Sequence, residues 1–204
     1  NTEHVDFISI QTWSASIYRD MLEIREEYPQ LPIFNIEHGG YEESPYTVFP
    51  GSYDDAAHCL RRNYLIQFAG AYSTYYWQGA AWNAIIHNPF EQPADFVKPK
   101  FEWYGHLIDF FEKYPFHEYA PDPERNQSAY CLSNGKDTML YYVPKENYQL
   151  SLYWQHPVAQ PGGTIQWFNT LTGGYTKEVP STSKYFFQSP FEGEVDSIMI
   201  RKFN

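Results

Sequence analysis

Through the first 115 residues, short apolar runs alternate with amphipathic stretches, and each apolar run stops at a polar loop. Val5-Asp6-Phe7-Ile8-Ser9-Ile10 is brief, mostly apolar and partly β-branched, and it ends at Gln11-Thr12-Trp13, which predicts a buried strand running into a loop. Ser14 is positioned to cap a following helix that reaches Tyr28, with Ile17, Met21, Leu22 and Ile24 on its apolar side and Pro29 and Pro32 beyond its end. Ile33-Phe34-Asn35-Ile36 is the second strand, and Glu37-His38-Gly39-Gly40-Tyr41 follows it at once. Asp54 or Asp55 can cap the next helix, which carries Ala56, Ala57, Leu60, Tyr64, Leu65 and Phe68 toward one side and closes at Gly70. Ala71 to Trp77 is a third strand ending in the loop Gln78-Gly79-Ala80-Ala81-Trp82-Asn83, and a last helix runs from Phe101 to Lys113.

Strand and helix alternating at a spacing of about 35 residues is the βαβ rhythm of a parallel sheet with helices outside it. Three such units are present. After Tyr114-Pro115 the helical patterns give way to short alternating strands punctuated by Asn134-Gly135, Pro161-Gly162-Gly163, Gly173-Gly174 and Pro180, which predicts an all-β module whose last strand contains Ser197-Ile198-Met199-Ile200. The expected class is therefore α/β plus all-β, with an α/β domain over residues 1–115 and an antiparallel β-sandwich over 116–204. A complete eight-stranded α/β barrel needs about 250 residues, more than the 204 here.

Composition narrows the chemistry. The formal charge of −11 has the wrong sign for holding nucleic acid phosphates or an anionic membrane surface, so neither partner is expected. No stretch of the sequence approaches about 18 uncharged apolar residues, and Asn1 to Phe7 has neither the basic nor the apolar segment of a secretory signal. Aromatic residues make up 20% of the chain, an excess that suits carbohydrate handling, because sugar C–H faces lie flat on Trp and Tyr rings. An aromatic-rich β core would produce the same composition. Two cysteines, Cys59 and Cys131, are too few for a disulfide scaffold and have no metal-ligand spacing.

The sharpest candidate for chemistry is Glu37. In parallel α/β architectures the strand fixes a side chain's direction at its C-terminal end while the loop beyond is free to vary, so a carboxylate there can be aimed at a substrate. Gly39 and Gly40 permit a sharp turn and leave room beside it. The competing reading is a polar residue leaving the core, and Glu42 and Glu43 read as solvated. His38 is placed to orient a carboxylate or bind a hydroxyl. Gln11, Trp13, Tyr41, Tyr75, Trp77, Trp82 and Asn83 complete the polar and aromatic groups at strand ends and are candidate sugar contacts, whereas His58 and His87 are weaker. A Gly-rich phosphate loop, a Cys or His metal cluster and a Gly-x-Ser-x-Gly elbow are all missing from the sequence, so no cofactor and no metal are expected, and carboxylate chemistry remains.

The run Leu31-Pro32-Ile33-Phe34-Asn35-Ile36-Glu37-His38-Gly39-Gly40-Tyr41-Glu42, followed by Arg61-Arg62-Asn63-Tyr64 and Phe68-Ala69-Gly70-Ala71-Tyr72, resembles the last strands of the apiosidase-like glycoside hydrolases, which are (β/α)8 barrels of a retaining clan. Tyr130-Cys131-Leu132-Ser133-Asn134-Gly135 and Trp167-Phe168-Asn169-Thr170-Leu171-Thr172-Gly173-Gly174 look like the β-sandwich that follows such barrels and is often labelled a collagen-binding domain. The resemblance implies that the first three strands are the sixth to eighth of a barrel, that Glu37 is the nucleophile and that Trp77 or Trp82 lines the sugar floor. The clan's general acid/base follows the fourth strand, so the chain would be the C-terminal portion of an enzyme whose N-terminal barrel portion is its partner. The resemblance further implies a secreted or periplasmic bacterial protein acting on polysaccharide side chains. The alternatives from the residues are a non-catalytic carbohydrate-binding protein and a protein-interaction module.

Overall fold

The computed structural model describes residues 4–39, 55–73, 99–125, 127–151, 162–182 and 186–203. These residues form mixed helices and sheets in two compact units, one comprising 1–67 and 71–104, the other 68–70 and 105–204.

The first unit holds a parallel sheet of three strands in the order β1 (Ile8–Gln11), β2 (Ile33–Glu37), β3 (Tyr72–Ser73), connected by helices α1 (Ile17–Glu27) and α2 (Ala56–Phe68). Parallel neighbours need a crossover, and the two amphipathic stretches supply it. Ile17 and Met21 of α1 and Ile33 of β2 are buried, while Leu22 and Ile24 are only half-buried. Helix α1 starts later than its sequence suggests: Ser16, not Ser14, is at the cap, without a side-chain cap bond, and the Ser14 hydroxyl accepts from the Ser16 N–H at 3.0 Å. A hydroxyl two residues from an amide closes a local turn in competition with the helix, which displaces the start. Asp55 does cap α2, its Oδ1 accepting the His58 N–H at 2.8 Å. At the other end Gly70 has φ 78°, and the Ala71 N–H reaches the Ile66 carbonyl at 3.1 Å, closing the last turn.

Helix α2 departs from the one-sided pattern expected of it. Cys59, Leu60, Tyr64, Ile66 and Phe68 are buried, but so are Arg62, Asn63 and Gln67, whereas Ala57 is exposed. A helix enclosed nearly all round must place its polar side chains inside, where they need partners.

The second unit is built on a six-stranded antiparallel sheet in the order β4 (Ala120–Pro121), β5 (Tyr130–Ser133), β6 (Thr138–Val143), β11 (Ser197–Lys202), β8 (Thr164–Asn169), β9 (Val179–Pro180). A smaller sheet pairs β7 (Gln149–Ser151) with β10 (Phe186–Gln188). The central strands are covered on both faces. One face presents Cys131, Met139, Tyr141, Val143, Trp167 and Met199 to a core that also contains Leu150 of β7 and Phe187 of β10. The other presents Tyr142 and Phe168, the latter 4.8 Å from Phe110 of α3 (Phe101–Lys113) between ring centroids. Every residue of β6 is consequently buried, and its run Thr138-Met139-Leu140-Tyr141-Tyr142-Val143 lacks the alternation expected of a half-solvated strand. The β5–β6 hairpin turns at Asn134-Gly135, where Gly135 has φ 67° and the Asn134 Oδ1 accepts three backbone N–H groups, those of Lys136, Asp137 and Thr138, at 3.0 to 3.1 Å.

Candidate functional site

The C-terminal ends of the three parallel strands bring together most of the candidate residues that the structure describes. Gln11 ends β1 and lies opposite Glu37 at the end of β2. Between the pairs Ile10↔Asn35 and Gln11↔Glu37 the register slips by one residue, leaving Ile36 as an extra, 48% exposed position on β2. A bulge re-aims the residues that follow it, and here Glu37 is the residue that follows.

Backbone and side chains then fix this end of β2. The Glu37 N–H donates to Asn35 Oδ1 at 3.2 Å, and the Glu37 carbonyl accepts the Thr12 N–H at 3.2 Å. The Asn35 amide donates in turn to the Thr12 carbonyl at 3.4 Å. Asn35 is fully buried, so its amide is committed to these strand-end groups. The Glu37 Oε1 is buried and has no hydrogen-bond partner among the described residues. A buried carboxylate oxygen without a donor is costly in a resting protein and useful where a ligand approaches.

His38 is fully buried. Its Nε2 is 3.1 Å from the hydroxyl of Ser73 on β3. The Ser73 hydroxyl donates to Asn63 Oδ1, and the Asn63 amide donates to the Cys59 carbonyl at 2.9 Å, one turn back along α2. Burial pushes the imidazole pKa down to about 4; the Asn63 interaction opposes this and the Arg62 charge adds to it, so His38 is neutral near pH 7. Arg62 is buried too, and its Nη1 donates to the carbonyls of His38 at 2.6 Å and Trp13 at 3.2 Å. Trp13 is half-buried, and Gln11 is exposed. His58 is exposed on α2. Tyr41, Tyr75, Trp77, Trp82, Asn83, Glu42, Glu43 and His87 lie outside the described residues.

Asn35, Arg62, Asn63 and Ser73 were not among the sequence candidates. The spacing Cys59–Asn63 is a signal for one of them, since an Asn four residues along a helix can bond back to the carbonyl of the preceding turn. Asn35 carries another, as an amide flanked by apolar residues within a strand.

Chemically, the arrangement offers a carboxylate at a fixed strand end, followed by a neutral imidazole held by hydrogen bonds, and a guanidinium that donates to two backbone carbonyls. Among the described residues no three His, Cys, Asp or Glu side chains gather as a metal ion would require, and no helix is long and apolar enough to cross a membrane. Comparison with known protein families and with curated proteins finds no match.

Proposed function

We propose that this chain is the C-terminal portion of an apiosidase-like retaining glycoside hydrolase. In this reading β1, β2 and β3 are the sixth to eighth strands of a (β/α)8 barrel, the second unit is the collagen-binding-type β-sandwich that follows it, and the enzyme is a secreted or periplasmic bacterial protein. Its substrate is a polysaccharide side chain of plant or microbial origin. The observation that carries the reading is the placement of Glu37, at the C-terminal end of the middle parallel strand with a buried carboxylate oxygen that no described residue engages.

The chemistry is double displacement. A Glu37 carboxylate oxygen bonds to the anomeric carbon as the glycosidic C–O bond breaks, and a second carboxylic acid about 5–5.5 Å away gives its proton to the leaving oxygen. Water then attacks the same carbon, the second group takes the water's proton, and Glu37 is released as carboxylate. The second group belongs to the upstream barrel portion, the partner this chain requires. Gln11 and Trp13, with Tyr41, Tyr75, Trp77, Trp82 and Asn83, are the sugar contacts, and His38, adjoining Glu37, is held by Ser73.

The test compares two proteins. The 204-residue chain alone is expected to give negligible turnover of aryl glycosides. A polypeptide that also supplies the upstream strands is expected to turn over, to lose that turnover in Glu37→Gln, and to bind an activated 2-deoxy-2-fluoro glycoside covalently at Glu37, located by peptide mass. Undiminished turnover in Glu37→Gln overturns the assignment. Robust turnover by the short chain that disappears in Glu37→Gln overturns only its incompleteness.

A further inference from the structure

The structure assigns Arg62 and Asn63, neighbours on α2, to the positioning of Glu37: Arg62 ties the backbone just after it to the backbone just after β1, and Asn63, acting through Ser73, fixes the His38 ring in its Nε2–H tautomer. The inference rests on the reading of Glu37 as nucleophile and deepens it.

The direction of the hydrogen bonds settles the tautomer. The Cys59 carbonyl can only accept, so the Asn63 NH2 faces it at 2.9 Å and the Asn63 Oδ1 is left facing Ser73. Ser73 has a single hydroxyl hydrogen, which goes to that oxygen. Its own oxygen is then the acceptor toward His38, and the His38 Nε2, 3.1 Å away, must carry the hydrogen. A main-chain carbonyl on a helix thereby sets the protonation pattern of the residue adjoining the candidate nucleophile. Arg62 acts in parallel, because one guanidinium nitrogen bonds the His38 carbonyl at 2.6 Å and the Trp13 carbonyl at 3.2 Å, joining the chain just after β2 to the chain just after β1. With Thr12 already bonded to Glu37, the carboxylate stands on a backbone held from β1, β3 and α2. Arg62, Asn63, Ser73 and His38 are positioning residues, and none needs to touch the reacting atoms.

The experiment has a spectroscopic arm and a kinetic arm. In the chain labelled with 15N-histidine, two-bond 1H–15N correlations are expected to show His38, assigned by its loss in His38→Gln, with Nε2 protonated and Nδ1 bare. Ser73→Thr, which keeps the hydroxyl between Asn63 and His38, should keep that pattern, while Ser73→Ala should give a mixture of tautomers. In the polypeptide with the upstream strands, covalent labelling of Glu37 by the activated fluoro-glycoside should slow about tenfold or more in Ser73→Ala and in Arg62→Lys, since small displacements of a reacting group cost rate steeply. Ser73→Thr should retain most of the rate. A protonated Nδ1 in the parent chain, or labelling at the parent rate in both Ser73→Ala and Arg62→Lys, overturns the proposal. Unchanged turnover in Glu37→Gln removes the hydrolase reading instead, and the tautomer pattern is then judged separately.

Discussion

The two units solve the problem of burial in opposite ways. At the strand ends of the parallel unit, buried Asn35, His38, Arg62 and Asn63 are knitted together through main-chain carbonyls and Ser73. In the antiparallel unit the two faces of the central strands are filled mainly with Tyr, Phe, Trp, Met and Leu, Arg201 of β11 is buried among them over the rings of Phe187 and Phe203, and much of the polar bonding sits at turns such as Asn134. Apolar packing stabilises without direction, whereas hydrogen bonds between buried groups specify direction and lose heavily if one partner is removed. The parallel unit uses the second device at its strand ends.

The largest effect expected from breaking the comparison lies in the apolar unit. Phe168 is fully buried between Phe110 and Tyr175, with centroids 4.8 and 4.9 Å away, so Phe168→Ala removes a ring from a site its neighbours cannot collapse to fill. The cost should be about 4 kcal/mol, read as lost hydrogen-exchange protection in β6, β8 and β11.

Acid should act on the other unit. The folded pKa of His38, about 4, lies below its ordinary 6.5, so the unfolded chain takes up the proton first. Stability from neutral His38 is complete above pH 6.5 and declines as pH falls toward 4, by about 3 kcal/mol across that window. In the antiparallel unit, burial raises the pKa of the Cys131 thiol and of the Tyr141 and Tyr114 phenols, and these groups are neutral throughout the same window. Exchange protection in β1 and β2 should thus fall with acid before that in β6 and β11. The histidine-specific part should vanish in His38→Gln, whose amide can still donate to Ser73. An equal acid response in parent and variant contradicts the assignment.

A smaller effect sharpens the account of α2. Asp55→Ala removes the acceptor of the His58 N–H and should lower the stability of the helix by about 1 kcal/mol, while Asp55→Asn should retain most of it. Amide exchange over the first turn of α2 distinguishes the two.

How far these features could be read in advance depended on whether burial follows a simple period. Ile33-Phe34-Asn35-Ile36 announced β2 and the carboxylate after it, and the Phe101–Lys113 helix coincides with its amphipathic stretch. Both have one dominant apolar pattern. Helix α2 was misread in part because a 3.6-residue period assumes that polar side chains face water, and Arg62 and Asn63 do not. Strand β6 departs from the alternation expected of the β module because burial on both faces erases it, and the unbroken Met139-Leu140-Tyr141-Tyr142-Val143 run is the signal the sequence carries. The directed chain from Cys59 to His38 was invisible because its members are separated in sequence and meet only when α2 is laid beside β2 and β3.

The smallest expected effect marks where polar contacts cease to matter. Lys202 pairs with Glu178 at 3.1 Å, and Glu178 also accepts the Thr164 hydroxyl, but the two charged side chains are 42% and 38% exposed. Water already solvates both groups when the pair is broken, so the contact is worth less than about 0.5 kcal/mol after screening. Lys202→Met should leave exchange in β8 and β11 within that amount of the parent. Arg62, by contrast, binds two carbonyls in a buried setting, and Arg62→Met should expose β1 and β2 far more strongly. Similar losses from the two variants would show that the strand-end network gains nothing from its burial, and the contrast between the units would fall with it.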